Sequence, residues 1–209
     1  MKYIAIRKNS VIDEKLKQYK FIFGDKSSLL NFEKLNNIKA FLYTEVDKTS
    51  KIYINDSMFF QLFTLKLLNY GFKNIYIYKD KSFPNIEIKY NLYDSFVKYE
   101  YNDNIVYVDD FEQNSALLAY DISSKKVDLI VLKNDSDKIY EFSKILKANN
   151  PKWKILLYGN TTTPKKDLLS NCVDFVLLKG DIKQLKNNYL KNIKGLYFYD
   201  DDYSIRYVD

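Results

Sequence analysis

The sequence contains no histidine and a single cysteine, Cys172, and these two shortages remove most of the usual side-chain chemistry of a small protein. Without imidazole there is no Ser-His-Asp triad, no Cys-His pair and no ring-nitrogen proton shuttle. A zinc site of ordinary ligand type cannot be assembled. One thiol forms no internal disulfide, which fits a reducing compartment. No run of 18 apolar residues occurs, so no membrane span is expected. Met1-Lys-Tyr-Ile-Ala-Ile-Arg7 turns polar too soon for a signal peptide, so a cytoplasmic protein is expected. Low-complexity tracts, internal repeats and Gly/Ser linkers are also missing.

What is present describes an ordinary globular chain. Of 209 residues, 46% are hydrophobic and 29% charged, which suits one sizeable core with additions. The net charge is +6, but the lysines are scattered among aspartates and glutamates instead of forming a run. They read as a solvated surface, and nucleic acid is not an expected partner. The 20 tyrosines and 14 phenylalanines are accounted for by strand packing, even where lysine and tyrosine interleave as in Lys98-Tyr-Glu-Tyr101.

The densest fold signals lie between Val127 and Asp181. Val127–Leu132, Lys154–Tyr158 and Val173–Leu178 are short continuous apolar runs of the kind a strand buried on both faces requires. A helical pattern through Ile139, Phe142, Ile145 and Leu146 separates the first two, and Pro164–Leu169 reads as a short helix before the third. Strand and helix in alternation mean parallel strands with helices on the faces. Earlier, Lys51–Ile54 runs into Asn55-Asp-Ser57 and an apolar helix over Met58–Tyr70 that Gly71 ends. That helix carries so many apolar residues that it should lie well covered. Asn74–Tyr78 is the next strand, 79–104 reads as an insertion with turns, and Ile105–Val108 resumes strand character. The fold class expected is α/β: a doubly wound, mainly parallel, flavodoxin/Rossmann-like three-layer sheet. Residues 1–50 would form an α/β extension with strands at Tyr3–Ile6, Lys20–Phe23 and Ala40–Tyr43 and a helix near Leu29–Leu35 capped by Asp25. Residues 51–191 would form the main domain, with Asp181 capping a last helix. Residues 192–209 would form a hairpin of Gly195–Tyr199 and Ser204–Val208.

The segment Lys154-Ile-Leu-Leu-Tyr-Gly-Asn-Thr-Thr-Thr-Pro164, with Asp167-Leu-Leu169 and Val173-Asp-Phe-Val-Leu-Leu-Lys-Gly-Asp181, resembles the amino-terminal cobalamin-binding domain of radical SAM proteins. In that family a strand ends in Gly-Gly and a small polar turn, and the next strand runs into a Gly-Glu-Gly-Glu turn. Ile193-Lys-Gly-Leu-Tyr-Phe-Tyr-Asp200 is similar to the hairpin preceding the family's catalytic barrel. The likeness covers roughly residues 51–209 and is densest from about 127 onward. It implies cobalamin as cofactor and a radical SAM catalytic domain, following in the same chain or acting in trans, as partner. Gly159 matches the second glycine of the pair and Tyr158 stands in place of the first. Gly180 and Asp181 keep part of the acidic turn, and Lys179 departs from it. Some relatives ligate cobalt through a histidine that this chain lacks. An iron–sulfur cluster needs several cysteine thiolates, so this chain holds none and is not catalytic by itself in the radical SAM sense.

Response-regulator receiver domains offer a second likeness through Ile105-Val-Tyr-Val-Asp-Asp110 and Leu178-Lys-Gly180, but Lys133 stands where the phosphoacceptor would be. The corresponding alternative is a ligand-free pseudo-receiver-like or docking module that works through protein contacts. Either likeness places a ligand beyond the carboxyl ends of the parallel strands, near a reversal of strand order. The candidates there are Asp56, Ser57, Asn134, Gly159, Asn160, Thr161, Thr162, Gly180 and Asp181. Each also has a structural reading: helix caps for Asp56, Ser57 and Asp181, tight turns for the glycines, and local backbone satisfaction for the threonines.

Overall fold

The computed structural model describes residues 1–80, 86–133, 136–159, 173–177, 182, 195–199 and 205–208. The chain is α/β and divides into two compact units, Met1–Phe96 and Val97–Asp209.

The first unit is a six-stranded sheet. Its strands are β1 (Lys2–Ala5), β2 (Lys20–Phe23), β3 (Ala40–Leu42), β4 (Lys51–Asn55), β5 (Ile75–Asp80) and β6 (Ile86–Asn91), in the order β3-β2-β1-β4-β5-β6. The first five are parallel, and β6 returns antiparallel along β5. Helix α1 (Lys26–Asn36) starts at Asp25, whose Oδ1 accepts from the Ser28 amide at 2.8 Å. Helix α2 (Met58–Tyr70) ends at Gly71, where φ of +104° suits a residue without a Cβ. Phe32 of α1 sits 4.9 Å and 5.1 Å from the rings of Phe21 and Phe23, in a cluster with Ile4, Leu29, Tyr53 and Tyr78. Ile52, Tyr53 and Ile54 are consecutive and all buried. Successive strand residues face opposite ways, so both faces of β4 are covered.

Among the described residues the second unit has seven strands: β7 (Glu100–Asn102), β8 (Ile105–Val108), β9 (Leu129–Lys133), β10 (Ile155–Tyr158), β11 (Phe175–Leu177), β12 (Gly195–Tyr199) and β13 (Ile205–Val208). They lie in sequence order across the sheet. Strands β8 to β12 are parallel, and β7 and β13 pair antiparallel at the two edges. A two-residue turn, Asp103-Asn104, joins β7 to β8 with both residues at positive φ, the backbone twist a tight hairpin demands. Helices α3 (Ser115–Ile122) and α4 (Ile139–Asn149) pack together. Asn149 Nδ2 of α4 donates to Ala119 O at 3.2 Å and to Ser123 Oγ at 2.6 Å. Right-handed crossovers between strands laid down in order put both helices on one face. Asp174 ties three elements together: its Oδ2 accepts from Lys147 Nζ of α4 at 2.6 Å and from the Ile155 amide at 2.9 Å.

Two expectations change. The expected sheet containing 52–54, 74–78, 128–132, 154–158 and 173–178 is two sheets, because β4 pairs with β1 and the first two segments belong with residues 1–50. The division therefore falls at 96/97 instead of 50/51. What reads as an insertion at 79–104 contains the antiparallel edge strands β6 and β7, which close one sheet and open the next. The carboxyl-terminal hairpin forms as expected, but β12 also extends the parallel sheet beside β11. Among the described residues no helix is long and apolar enough to cross a membrane.

Candidate functional site

Strand order decides where a crevice can open. In the first sheet the chain winds outward from β1 to β3 on one side, then restarts at β4 and winds the other way, so the order reverses between β1 and β4. Crossovers diverge at such a point and leave a crevice beyond the carboxyl ends of the strands. Here the bordering segments are Ile6-Arg7 after β1 and Asp56-Ser57 after β4. Between β8 and β12 of the second sheet there is no reversal.

Asp56 and Ser57 thus occupy the position expected of ligand-contacting residues. Asn55 Oδ1 accepts from the Ser57 amide at 2.8 Å and fixes the turn out of β4. Asp56 Oδ1 accepts from Gln61 Nε2 at 3.1 Å, and its Oδ2 accepts from the Tyr90 hydroxyl at 3.2 Å. Gln61 is buried in the first turns of α2. Burial, and then the neighbouring Asp56 charge, push the Tyr90 phenol well above its ordinary value. Tyr90 is therefore a protonated donor at neutral pH. The Asp56 carboxylate is held in place by these two donors, on α2 and β6. Ser57 caps α2 by position, and its side chain makes no capping hydrogen bond.

Next to these polar groups, α2 carries an exposed apolar patch. Met58, Phe59 and Leu62 are 38%, 60% and 49% exposed. They share the first turns of α2, and the Arg7 guanidinium lies over the Phe59 ring at 5.0 Å. The expectation that α2 is well covered fails on this face, although Phe60, Leu65, Leu67 and Leu68 are buried as expected. Gly24, at the end of β2, lets α2 come close: a Cβ there would stand 2.9 Å from the Phe63 ring. Asp25 next to it has its carboxyl held below the usual range, chiefly by the Ser28 amide, with smaller help from Lys66 and Lys8.

Gly159 belongs to the second unit. It follows β10 with φ of +112°, its amide donates to Leu177 O at 2.9 Å, and a Cβ would meet none of the described residues within 4 Å. The preceding Tyr158 packs against the cluster of Ile105, Leu129, Val131, Leu156, Phe175 and Leu177 on a sheet face. Asn134, Asn160, Thr161, Thr162, Gly180 and Asp181 lie outside the described residues, as do Lys179 and the expected helix at 164–169. Asp56 and Ser57 are consequently not in the same sheet as Gly159.

The receiver-like residues have local roles. Asp110 Oδ1 accepts from the Glu112 amide at 2.9 Å, and its Oδ2 pairs with Lys98 at 3.2 Å. Lys133, in the phosphoacceptor's place, faces Glu100 at 3.7 Å and lies over the Tyr107 ring. Among the described residues no group of three or more acidic or cysteine side chains could hold a metal ion.

Sequence reasoning missed Tyr90, Gln61 and Arg7. Gln61 leaves one trace, as a polar residue inside the apolar run of α2, whereas Tyr90 leaves none because β6 falls in the stretch that reads as an insertion. Compared with family models, with curated proteins and with solved structures, the chain matches none.

Proposed function

We propose that the chain is a non-catalytic docking module that works through protein contacts made at the carboxyl edge of its first sheet. The exposed trio Met58, Phe59 and Leu62 carries this reading. Single exposed apolar side chains are normal, but three at helical spacing beside an arginine and a crevice form a patch of the composition that protein interfaces use. The Asp56–Tyr90–Gln61 network supports the same reading, since it spends the crevice's polar groups on one another. A radical SAM catalytic domain, in the same chain or in trans, is the partner that the resemblance implies. A photo-crosslinking amino acid at position 59 is expected to yield one discrete crosslinked protein in cells, and Leu62→Glu to abolish it without changing thermal unfolding. No crosslink, or one indifferent to Leu62→Glu, would overturn the proposal.

A second reading, cobalamin binding in the second unit, is favoured by Gly159 alone. Among the described residues nothing lies within 4 Å of a Cβ built on it, and the Tyr158 ring lies on a sheet face, so a large planar ligand could approach the backbone there. Hydroxocobalamin retained through desalting by the parent and lost in Gly159→Trp would support it. A protein that emerges free of corrin would remove it.

A further inference from the structure

We propose that the amino-terminal rim of the first sheet binds single-stranded nucleic acid through its phosphates. In the sequence its lysines are 12 to 22 residues apart and look scattered, but strand register gathers them. Lys2 stands opposite Lys51, Lys20 opposite Tyr3, and Lys39 precedes Ala40, the partner of Phe21, so Lys39 and Lys20 are neighbours. Lys73 precedes β5 at the same end. Five successive parallel strands thus begin at a lysine or within two residues after one, and all five lysines are exposed, as is Lys48 in the loop before β4. By the alternation of strand side chains, Lys2 and Lys51 lean to one face and Lys20 and Lys39 to the other, so the charges straddle the rim. Four strand spacings of ~4.8 Å make the row about 19 Å long, about five phosphates at the stacked spacing of ~3.4 Å.

Aromatic rings are interleaved with this charge. Lys20 and Lys39 both lie over the Phe41 ring at 5.3 and 5.4 Å, Lys48 lies over Tyr70 at 4.5 Å, and Lys51 over Tyr76 at 5.8 Å. All three rings are half-buried. A double helix hides its base faces and offers these rings only phosphate, whereas a single strand offers both phosphate and base. Compensation of helix dipoles accounts for Lys39 and Lys73, which follow α1 and α2, but not for Lys2, Lys20 or Lys51. Two carboxylates near this rim are engaged locally, Glu33 accepting from the Ala40 amide at 2.8 Å and Asp47 from the Thr49 amide and hydroxyl, while Asp94 after β6 is exposed at the same end. Residues 1–96 hold 16 Lys and Arg against 10 Asp and Glu, a net of +6, while residues 97–209 hold 17 of each. The whole surplus therefore belongs to the unit with this rim.

The test is fluorescence anisotropy of a mixed-sequence single-stranded 12-mer titrated with the full chain at several salt concentrations. Each lysine on a phosphate contributes ~0.7 to the slope of log affinity against log salt. Lys20→Ala with Lys39→Ala and Lys51→Ala is expected to lower that slope by about 2 and the affinity about a hundredfold at 0.1 M salt. Arginine at the same three positions should keep both, with unchanged thermal unfolding in either variant. Lys152→Ala with Lys154→Ala, in the second unit, should change neither. The proposal is overturned by no binding at 0.05 M salt, by equal weakening in the second-unit variant, by preference for a duplex of the same sequence, or by tighter binding to phosphatidylserine vesicles than to the oligonucleotide.

Discussion

The two units are built from the same parts, parallel strands with antiparallel edges, but the chain enters them at different places. In the first it starts in the middle, at β1, fills one side and returns to fill the other; in the second it starts at an edge, with β7, and proceeds across. Starting in the middle forces the crossovers to diverge, which opens a crevice by topology alone. Starting at the edge keeps the crossovers side by side, so the strand order itself opens no such crevice. The amino ends differ as well. Every parallel strand of the first sheet starts at a lysine or within two residues after one, whereas of β8 to β12 only β10 and β12 do, after Lys154 and Lys194.

Separate cores are the strongest part of this comparison, and a core deletion in one unit tests it most severely. Phe32→Ala should cost about 3–5 kcal/mol by removing a fully buried ring between Phe21 and Phe23. Hydrogen exchange should then accelerate in β1 to β5 and stay slow in β8 to β11; equal acceleration in both would break the division. Asp174→Ala should cost about 2 kcal/mol in the second unit, because the Ile155 amide loses its acceptor and Lys147 is left with the Trp153 carbonyl. Urea unfolding of Lys147→Met, Asp174→Ala and the double variant should show strong coupling, and additive losses would show that the tie does not hold α4 to β10 and β11.

Among the described residues each unit has one glycine at strongly positive φ, Gly71 and Gly159. Alanine at either should cost about 1–2 kcal/mol through backbone strain, since a Cβ meets no nearer atom than 3.6 Å at the first and none within 4 Å at the second. A silent Gly159→Ala in thermal unfolding would mean that the turn after β10 takes another conformation. The smallest effect lies in the alkaline limb. Burial, then Asp56, raises Tyr90 in the first unit; burial, then the hydrogen bond to Asp121 at 2.6 Å, raises Tyr99 in the second. A phenol raised on folding contributes nothing to pH dependence below the unfolded value of about 10, and its contribution to stability is lost as pH rises beyond that. Tyr90→Phe and Tyr99→Phe should each flatten the fall in stability above about pH 10, and an unchanged alkaline limb would show that the hydroxyl is free to ionise.

Much of the fold was legible because local chemistry states it. Lys20–Phe23, Ile105–Val108 and the limits of α2 at Met58, Tyr70 and Gly71 agree with expectation, as does the Asp25 cap on Ser28. Apolar runs announce buried strands, and glycine and aspartate announce helix ends. Pairing was not legible. A hydrophobic strand such as β4 is equally satisfied beside β1 or beside β9, and only the competition among all strands chooses. For the same reason Asp56 and Ser57 could be named as strand-end residues, while Tyr90, which reaches Asp56 from β6 across 34 positions, could not.

By itself the sequence determined the α/β class, the absence of imidazole and multi-thiolate chemistry, and the ends of most described elements, because each depends on side-chain type or on periodicity within one turn or strand. Tertiary structure alone decided that there are two sheets, that the first reverses its strand order at Asp56, and that lysines far apart in the chain share one rim. These depend on which strand lies beside which, and parallel pairing brings residues into register only after the connections between them have closed.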